Sequence, residues 1–237
     1  MTPMARFTMP DALPEGGEKV EAVRTMFDAI APRYDLVNRI MTFRMDVRWR
    51  RRTVQALGLP GGSTVLDLAC GTGDLCRDLS ARSLQPIGVD LSYGMLAAAR
   101  TGAPLVHGDA LRLPLPDASV DGVTCGFALR NFESLPPFFA ELARVTRPGG
   151  RIALLEVAEP PNRVLRWGHG VYFGRVVPFV GGLLSDPAAY RYLPRSVAYL
   201  PDPPVMLGQL AAAGFDGVQR QLLSVGISQL ITATRAP

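Results

Sequence analysis

The hydrophobic positions of this chain change period several times, and each change marks an element. Val20, Val23, Met26, Phe27 and Ile30 fall on one helical stripe, which predicts a helix over residues 19–30 ended by Pro32. Tyr34-Asp35-Leu36-Val37-Asn38 follows, and then Ile40-Met41, with no element assigned to them. A basic helix is predicted from about Asp46 to Leu57, stopped by Gly58 and Pro60. The apolar run at 65–68 has the length of a buried strand, and after the turn Gly71-Thr72-Gly73 the spacing of Leu75 and Leu79 is helical. Strand-length runs recur at 86–90, 105–107, 120–125 and 152–155. Helices are predicted between them at 92–100, capped by Ser92, and at 134–145, facing inward through Leu135, Phe138, Phe139, Leu142 and Val145. This alternation predicts an α/β chain with a parallel sheet and crossover helices.

The alternation stops after residue 157. Residues 157–200 hold aromatics, prolines and arginines without a clear strand, and read as a helical insertion. A helix at 204–213 and a hairpin of 218–223 with 227–234, turning through Ser224-Val225-Gly226, would close the sheet with an antiparallel strand. The expected organisation is a loose arm over 1–18 and one domain over 19–237, with 19–58 as an N-terminal helical cap.

Composition narrows the class. A chain of 237 residues with 48% hydrophobic and 19% charged residues is long enough for one domain with a sizeable core. The net charge of +4 is almost all arginine, since Lys19 is the only lysine. Cys70, Cys76 and Cys125 make no disulfide framework and, with only His107 and His169, no zinc pattern, so no metal and a reducing cytoplasm are expected. The longest uncharged apolar run, near 176–185, is too short to span a bilayer.

The chemistry starts at Asp67-Leu-Ala-Cys-Gly71-Thr72-Gly73. Glycines at a strand-to-helix turn let a ligand approach the backbone. A dinucleotide site wants G-x-G-x-x-G, and the third glycine is missing. Asp67, read as lying inside the turn, would repel a pyrophosphate and suit the cationic methionyl end of S-adenosylmethionine. Asp90 ends the next strand, at the spacing where a carboxylate meets ribose hydroxyls, and Asp109-Ala110 follows the third strand, where it would meet the adenine amino group. The run resembles the class I methyltransferase motif D-x-G-x-G-x-G, with Ala69 at the first glycine. That resemblance implies the Rossmann-like class I fold, a mostly parallel seven-stranded sheet with a C-terminal antiparallel hairpin.

After the fourth strand comes Gly126-Phe127-Ala128-Leu129-Arg130-Asn131. It is neither the Asn/Asp-Pro-Pro-aromatic run of DNA amino-methylating enzymes nor the Pro-Cys nucleophile of RNA cytosine-5 enzymes. An arginine beside an asparagine suits an acceptor with an oxyanion; equally, Arg130 suits a buried pair with a carboxylate. Tyr34-Asp-x-x-Asn38 leading to Trp49, Phe127-x-Leu-Arg-Asn131, Leu154-Leu-Glu156 and Tyr190-Arg-Tyr-Leu193 resemble the ubiquinone/menaquinone biosynthesis C-methyltransferases over nearly the whole chain. Ala128 stands for a glycine of that family, Gly126 for a serine near the cofactor, and Asp46 near a usual histidine.

The resemblance implies methylation of demethylmenaquinol by S-adenosylmethionine. A quinol carbon becomes strongly nucleophilic when an adjacent hydroxyl ionises, so Arg130 is expected to stabilise a phenolate, Asn131 to orient the ring oxygen and Tyr34 to relay the proton. Gly126 joins Asp67, Gly71, Thr72, Gly73, Asp90, Asp109 and Ala110 as expected cofactor contacts. The acceptor's prenyl tail lives in membrane. Val164 to Phe179 mixes Trp167, Tyr172 and Phe173 with Arg163, Arg166 and Arg175, the composition of an interfacial helix or of a cap over the site. Arginines 48, 50, 51 and 52 read as a solvated or lipid-facing basic face rather than a nucleic-acid site. Three alternatives remain: methylation of another prenylated or phenolic small molecule, a non-catalytic cofactor-binding protein and, more distantly, a nicotinamide oxidoreductase.

Overall fold

The computed structural model describes residues 14–237, so most of the expected arm over 1–18 lies outside the described residues. Helix α1 spans Gly16–Ile30, a turn earlier than the apolar stripe begins, because Lys19 N–H already donates to Glu15 C=O. Helix α2 (Tyr34–Met41) and α3 (Met45–Leu57) follow, and α3 ends on Gly58 at φ +61°. A glycine accepts that left-handed terminus without a Cβ penalty.

The central sheet has seven strands in the order β3-β2-β1-β4-β5-β7-β6. These are β1 (Thr64–Leu68), β2 (Gln85–Asp90), β3 (Leu105–His107), β4 (Val120–Gly126), β5 (Thr146–Val157), β6 (Phe215–Leu223) and β7 (Ser228–Arg235). The first five pair in parallel, and β7 enters antiparallel between β5 and β6. The hairpin turns through Ser224–Gly226, as the pattern predicts. Helix α4 (Asp74–Ser80) follows β1, and α6 (Leu135–Val145) lies between β4 and β5. Phe138, Phe139 and Leu142 of α6 are fully buried against Leu66, Val123 and Leu154 of the sheet. Helix α5 spans only Tyr93–Ala97, shorter than the predicted 92–100. Ser92 caps its start, but at its end the chain turns back so that Arg100 N–H bonds Thr72 C=O at 3.1 Å.

The insertion is helical: α7 (Arg163–Val171), a π-turn over Tyr172–Val176, α8 (Val177–Leu184) and α9 (Pro187–Ser196). Helix α10 (Pro203–Ala212) then returns to the sheet. A second core joins this insertion to the N-terminal helices: Met26, Ile30, Val37 and Met41 pack with Val177, Ala189, Tyr190 and Tyr192. At Gly181 the packing is so close that a Cβ would lie 2.1 Å from the ring of Tyr190. Residues far apart in sequence thereby form one cover over the carboxyl ends of the strands.

Candidate active site

The strand order reverses between β1 and β4, and ligands of open α/β sheets bind at such a switch point. Asp67 belongs to β1 itself rather than to the turn: its Cα pairs with Gly88 on one side and Thr124 on the other. It is fully buried, accepts from Thr124 Oγ1 at 2.8 Å and faces Cys76 Sγ at 3.4 Å. Burial pushes its carboxyl up to about 7. Past it the chain makes its tight turn with Ala69 at φ +50°, Gly71 at +55° and Gly73 at +79°. Ala69 holds a left-handed conformation at the position where the motif has its first glycine. A Cβ on Gly71 would meet open space, whereas one on Gly73 would lie 2.6 Å from Thr101 Cγ2. Gly71 therefore offers its face to a ligand, and Gly73 serves close packing behind it.

Asp90 accepts from Gly71 N–H at 2.7 Å and from Ser92 N–H at 2.8 Å. The amide that a pyrophosphate would need is thus already bonded to a carboxylate. Asp109 is exposed and accepts from Leu111 N–H at 2.9 Å, with Ala110 buried beside it. The N-terminal helices latch onto these loops. Asp28 of α1 accepts from Ser92 Oγ at 2.6 Å and Gly94 N–H at 2.8 Å, and Asp35 of α2 accepts from Thr72 Oγ1 at 2.5 Å.

Two cavities meet here. The smaller, about 150 Å³, is lined by Asp90, Asp109, Ala110 and Asn131 and roofed by Val23 and Phe27 of α1. The larger, about 470 Å³, is lined mostly by apolar side chains, among them Met41, Trp49, Leu165, Phe173 and Ile227, and it also reaches Asp67, Thr72 and Arg130. Tyr34, Ala69, Gly71, Gly126 and Phe127 line both.

Arg130 is buried and its side chain is committed: Nη1 bonds Glu156 and Phe127 C=O, and Nε donates to Ser196 Oγ at 3.1 Å. Glu156, fully buried, also accepts from Arg130 N–H and Val157 N–H. The arrangement is that of the buried ion pair set against the oxyanion reading above. Asn131 stands on the wall of the smaller cavity, where its Oδ1 accepts from Tyr192 at 3.3 Å. The Tyr34 hydroxyl is held above its ordinary 10 by burial, so it stays protonated.

Sequence reasoning passed over His169. It lies on the wall of the large cavity, its ring 4.6 Å from that of Phe173, and its Nε2 is buried without a hydrogen-bond partner. Burial holds it below its ordinary 6.5 and therefore neutral. A histidine in the last turn of an arginine-bearing helix gave no local signal of this, because the cavity is assembled from distant elements. Among the described residues, no cluster of three or more His, Cys, Asp or Glu side chains could hold a metal ion.

The site fits a cationic nucleoside. Carboxylates end three successive parallel strands, the turn is open at Gly71, and no glycine-rich phosphate cradle is present among these residues. Comparison with known proteins agrees. The chain is 43% identical over 220 residues to a demethylmenaquinone methyltransferase of Thermus thermophilus, covering 89% of this chain and all of that one. A ubiquinone/menaquinone biosynthesis C-methyltransferase of Geobacter sulfurreducens is 36% identical, over 92% of this chain and 90% of that one. Solved structures share the fold at low identity. The [4+2]-cyclase SpnF superposes with a TM-score of 0.66 at 16% identity over 98% and 99% of the two chains. A phosphoethanolamine N-methyltransferase of Haemonchus contortus gives 0.59 at 14%, over 79% of this chain and 52% of that one. The family model of the ubiE/COQ5 methyltransferases matches residues 16–235, and the chain belongs to that family.

Proposed function

We propose that this protein methylates a ring carbon of demethylmenaquinol with S-adenosylmethionine: the C–CH3 bond forms as the S–CH3 bond breaks, the ring carbon's hydrogen then leaves as a proton, and menaquinol, S-adenosylhomocysteine and H+ result. One observation carries the reading: a small cavity ringed by strand-end carboxylates and a large apolar one share the wall made by Tyr34, Ala69, Gly71, Gly126 and Phe127. Across that wall a donor and a lipid-like acceptor would face each other. S-adenosylmethionine supplies an electrophilic methyl group on a sulfonium.

The chain's own residues do the rest. Asp90 keeps lone pairs for ribose hydroxyls beyond the two amides it holds, and Asp109 with Ala110 frames the adenine edge. Asp67, buried behind Gly71 and Thr72 at the wall of the larger cavity, attracts the methionyl ammonium across that turn. Gly73 keeps the turn tight, and Gly126, where a Cβ would lie 3.0 Å from Leu75 Cδ1, lets β4 pack against α4 while its backbone lines both cavities. Tyr34 donates to the acceptor's ring oxygen. His169 Nε2 is a buried nitrogen without a partner on an apolar wall, and in the tautomer that carries its proton on Nδ1 it takes the proton of the acceptor hydroxyl. Arg130 lends positive charge to the cavity, but shares it with Glu156, so its chief effect is to hold the loop from Phe127 to Asn131 in place. Asn131 fixes that loop to Tyr192 from the cofactor side. Much of the rate then comes from positioning in a cavity that excludes water.

The acceptor's tail requires contact with membrane. Among the described residues no helix is long and apolar enough to cross a bilayer. Helix α7 has no buried residue, with Val164 75% and Trp167 74% exposed, and Phe179 of α8 is 68% exposed. The same segment lines the large cavity through Leu165, His169 and Phe173. It therefore serves both as cap and as peripheral membrane contact.

The test is to incubate the protein with methyl-labelled S-adenosylmethionine and reduced short-chain demethylmenaquinol, and to follow label by mass spectrometry. Label on the ring carbon is expected. Cofactor binding without label would overturn the acceptor, and no cofactor binding would overturn the whole reading.

A further inference from the structure

The mouth of the large cavity is ringed by apolar side chains from three separate parts of the chain. Phe43, in the turn between α2 and α3, lines the cavity and is 73% exposed. Val225, at the tip of the β6–β7 hairpin, lines it and is 66% exposed. Val164 and Leu165, in the first turn of α7, complete the ring.

Two of these residues are held outward at a conformational cost. Phe43 has φ +50° and Val225 has φ +56°, and each has a neighbour in the same region, Arg44 at +61° and Ser224 at +46°. The left-handed region is unfavourable for bulky and β-branched side chains, and asparagine or glycine would suit it better. Strain of this kind persists where the surroundings impose it and clusters at functional positions. Here the surroundings do impose it. Trp49 Nε1 donates to Ser224 Oγ at 2.8 Å, the ring of Phe43 lies 6.0 Å from that of Tyr172, and Tyr172 donates to Met41 C=O at 2.6 Å. Two strained turns thus present large apolar groups to the outside at the entrance of an apolar cavity.

The charges nearby choose the occupant. Arg44 and Arg163 adjoin the ring in sequence, Arg48 and Arg166 follow one helical turn on, and all four are exposed. Glu159 is the exposed acid in the same stretch of α7 and its approach. An apolar tip within a basic rim matches an anionic lipid surface.

We propose that this ring is the surface that enters the bilayer, with Phe43 and Val225 as its leading side chains, so that a prenyl tail passes from lipid into the cavity without crossing water. The proposal rests on the prenylated-acceptor reading and extends the membrane contact beyond α7 to two turns outside it.

The test uses the whole protein with Phe43→Asn, Val225→Asn and the control Phe43→Leu. Binding is measured by co-sedimentation with vesicles of phosphatidylglycerol and phosphatidylcholine, and stability by thermal melting. Wild type should bind at low salt and release at high salt. Both asparagine variants should melt at or above the wild-type temperature while binding vesicles at least about tenfold more weakly, and Phe43→Leu should bind like wild type. Wild-type vesicle binding by the asparagine variants would overturn the proposal, as would a wild type that ignores anionic vesicles. Self-association seen by ultracentrifugation and lost in these variants, with vesicle binding intact, would assign the ring to a second copy instead and overturn it too. Methyl transfer by wild type to a short-tailed acceptor without vesicles is read separately, so failure of the reaction and failure of the surface are told apart.

Discussion

Thr72 Oγ1 of the glycine turn donates to Asp35 Oδ1 of α2 at 2.5 Å. Thr72 is buried, and the bond fastens a helix of the N-terminal cap to the loop expected to meet the cofactor. A hydrogen bond to a charged group contributes about 1.5–3 kcal/mol. Asp35→Ala should weaken cofactor binding about tenfold, mainly by faster release, and Thr72→Ala combined with it should add little. Calorimetry on the two single variants and the double checks this. Additive losses would mean that the two residues act separately.

The pair Arg130–Glu156 gives a second prediction. Removing one member of a buried pair leaves an uncompensated charge and costs about 3–5 kcal/mol, whereas replacing both by apolar residues is often neutral. Glu156→Leu alone should therefore be strongly destabilised, and Arg130→Met with Glu156→Leu should recover part of the loss in urea unfolding, the remainder being the amides of Arg130 and Val157 left without their acceptor. Turnover of the double variant then separates support from chemistry. Persistent turnover would leave Arg130 with a role in stability alone, and its collapse in a stable protein with normal cofactor affinity would place the guanidinium at the acceptor or in control of the loop beside it.

These residues also show how far the sequence could be read. Asp90, Asp109 and the glycine turn were legible because strand, turn and helix are consecutive, so spacing alone places them on one rim. The antiparallel hairpin was legible for the same reason. Arg130 was singled out, but its partner lies 26 residues on and in the next strand, and only β4–β5 pairing brings them together. Asp67 was assigned to the turn because its neighbours are glycine-rich, while the register shows strand pairing on both sides. Helix α2 escaped notice because it is only eight residues long: Leu36, Val37, Ile40 and Met41 share one side, but a stripe of two turns between Pro32 and Thr42 is too short to declare a helix.

Asp67 carries a third prediction. Its folded carboxyl titrates near 7, above the 3.8 of an ordinary aspartate, so the fold favours the protonated form. Any stability tied to that group is full below about pH 3.8 and is lost as pH rises through about 7. Asp67→Asn escapes that loss, so its melting temperature should exceed wild type increasingly from pH 4 to 7, with the gap level above. A cationic ligand beside Asp67 pulls the other way and favours the ionised form. Wild-type affinity for S-adenosylmethionine should rise with pH through about 7, with proton release seen in buffers of different ionisation enthalpy, and the variant should bind weakly with little pH dependence. A wild-type affinity flat across that range would remove Asp67 from the ligand.

The last prediction concerns His169, whose Nε2 is a buried nitrogen without a hydrogen-bond partner on the acceptor side. The other charged groups around the cavity have partners: Arg130 has Glu156, and Arg50 has Asp46 and Asp74. Glu159, before α7, is the charge that acts on the ring and tends to raise its affinity for a proton, but burial outweighs it. A base must be neutral to work, so at saturating S-adenosylmethionine, where the pH dependence set by Asp67 no longer enters, the rate should be level near pH 7 and above and fall on the acid side with a midpoint below 6.5. Positioned general bases contribute about 10²–10⁴-fold. His169→Gln should lose a factor in that range and also lose the acid limb, its rate instead rising with pH as the acceptor ionises unaided. His169→Gly should recover part of the rate with added imidazole, at some cost in stability because it lengthens a glycine run in α7, while cofactor affinity stays near wild type in both variants and melting temperature near wild type in His169→Gln. A packing role would lower stability without changing the shape of the pH profile. A His169→Gln variant with the wild-type rate and the wild-type acid limb would return the proton to Tyr34 or to water.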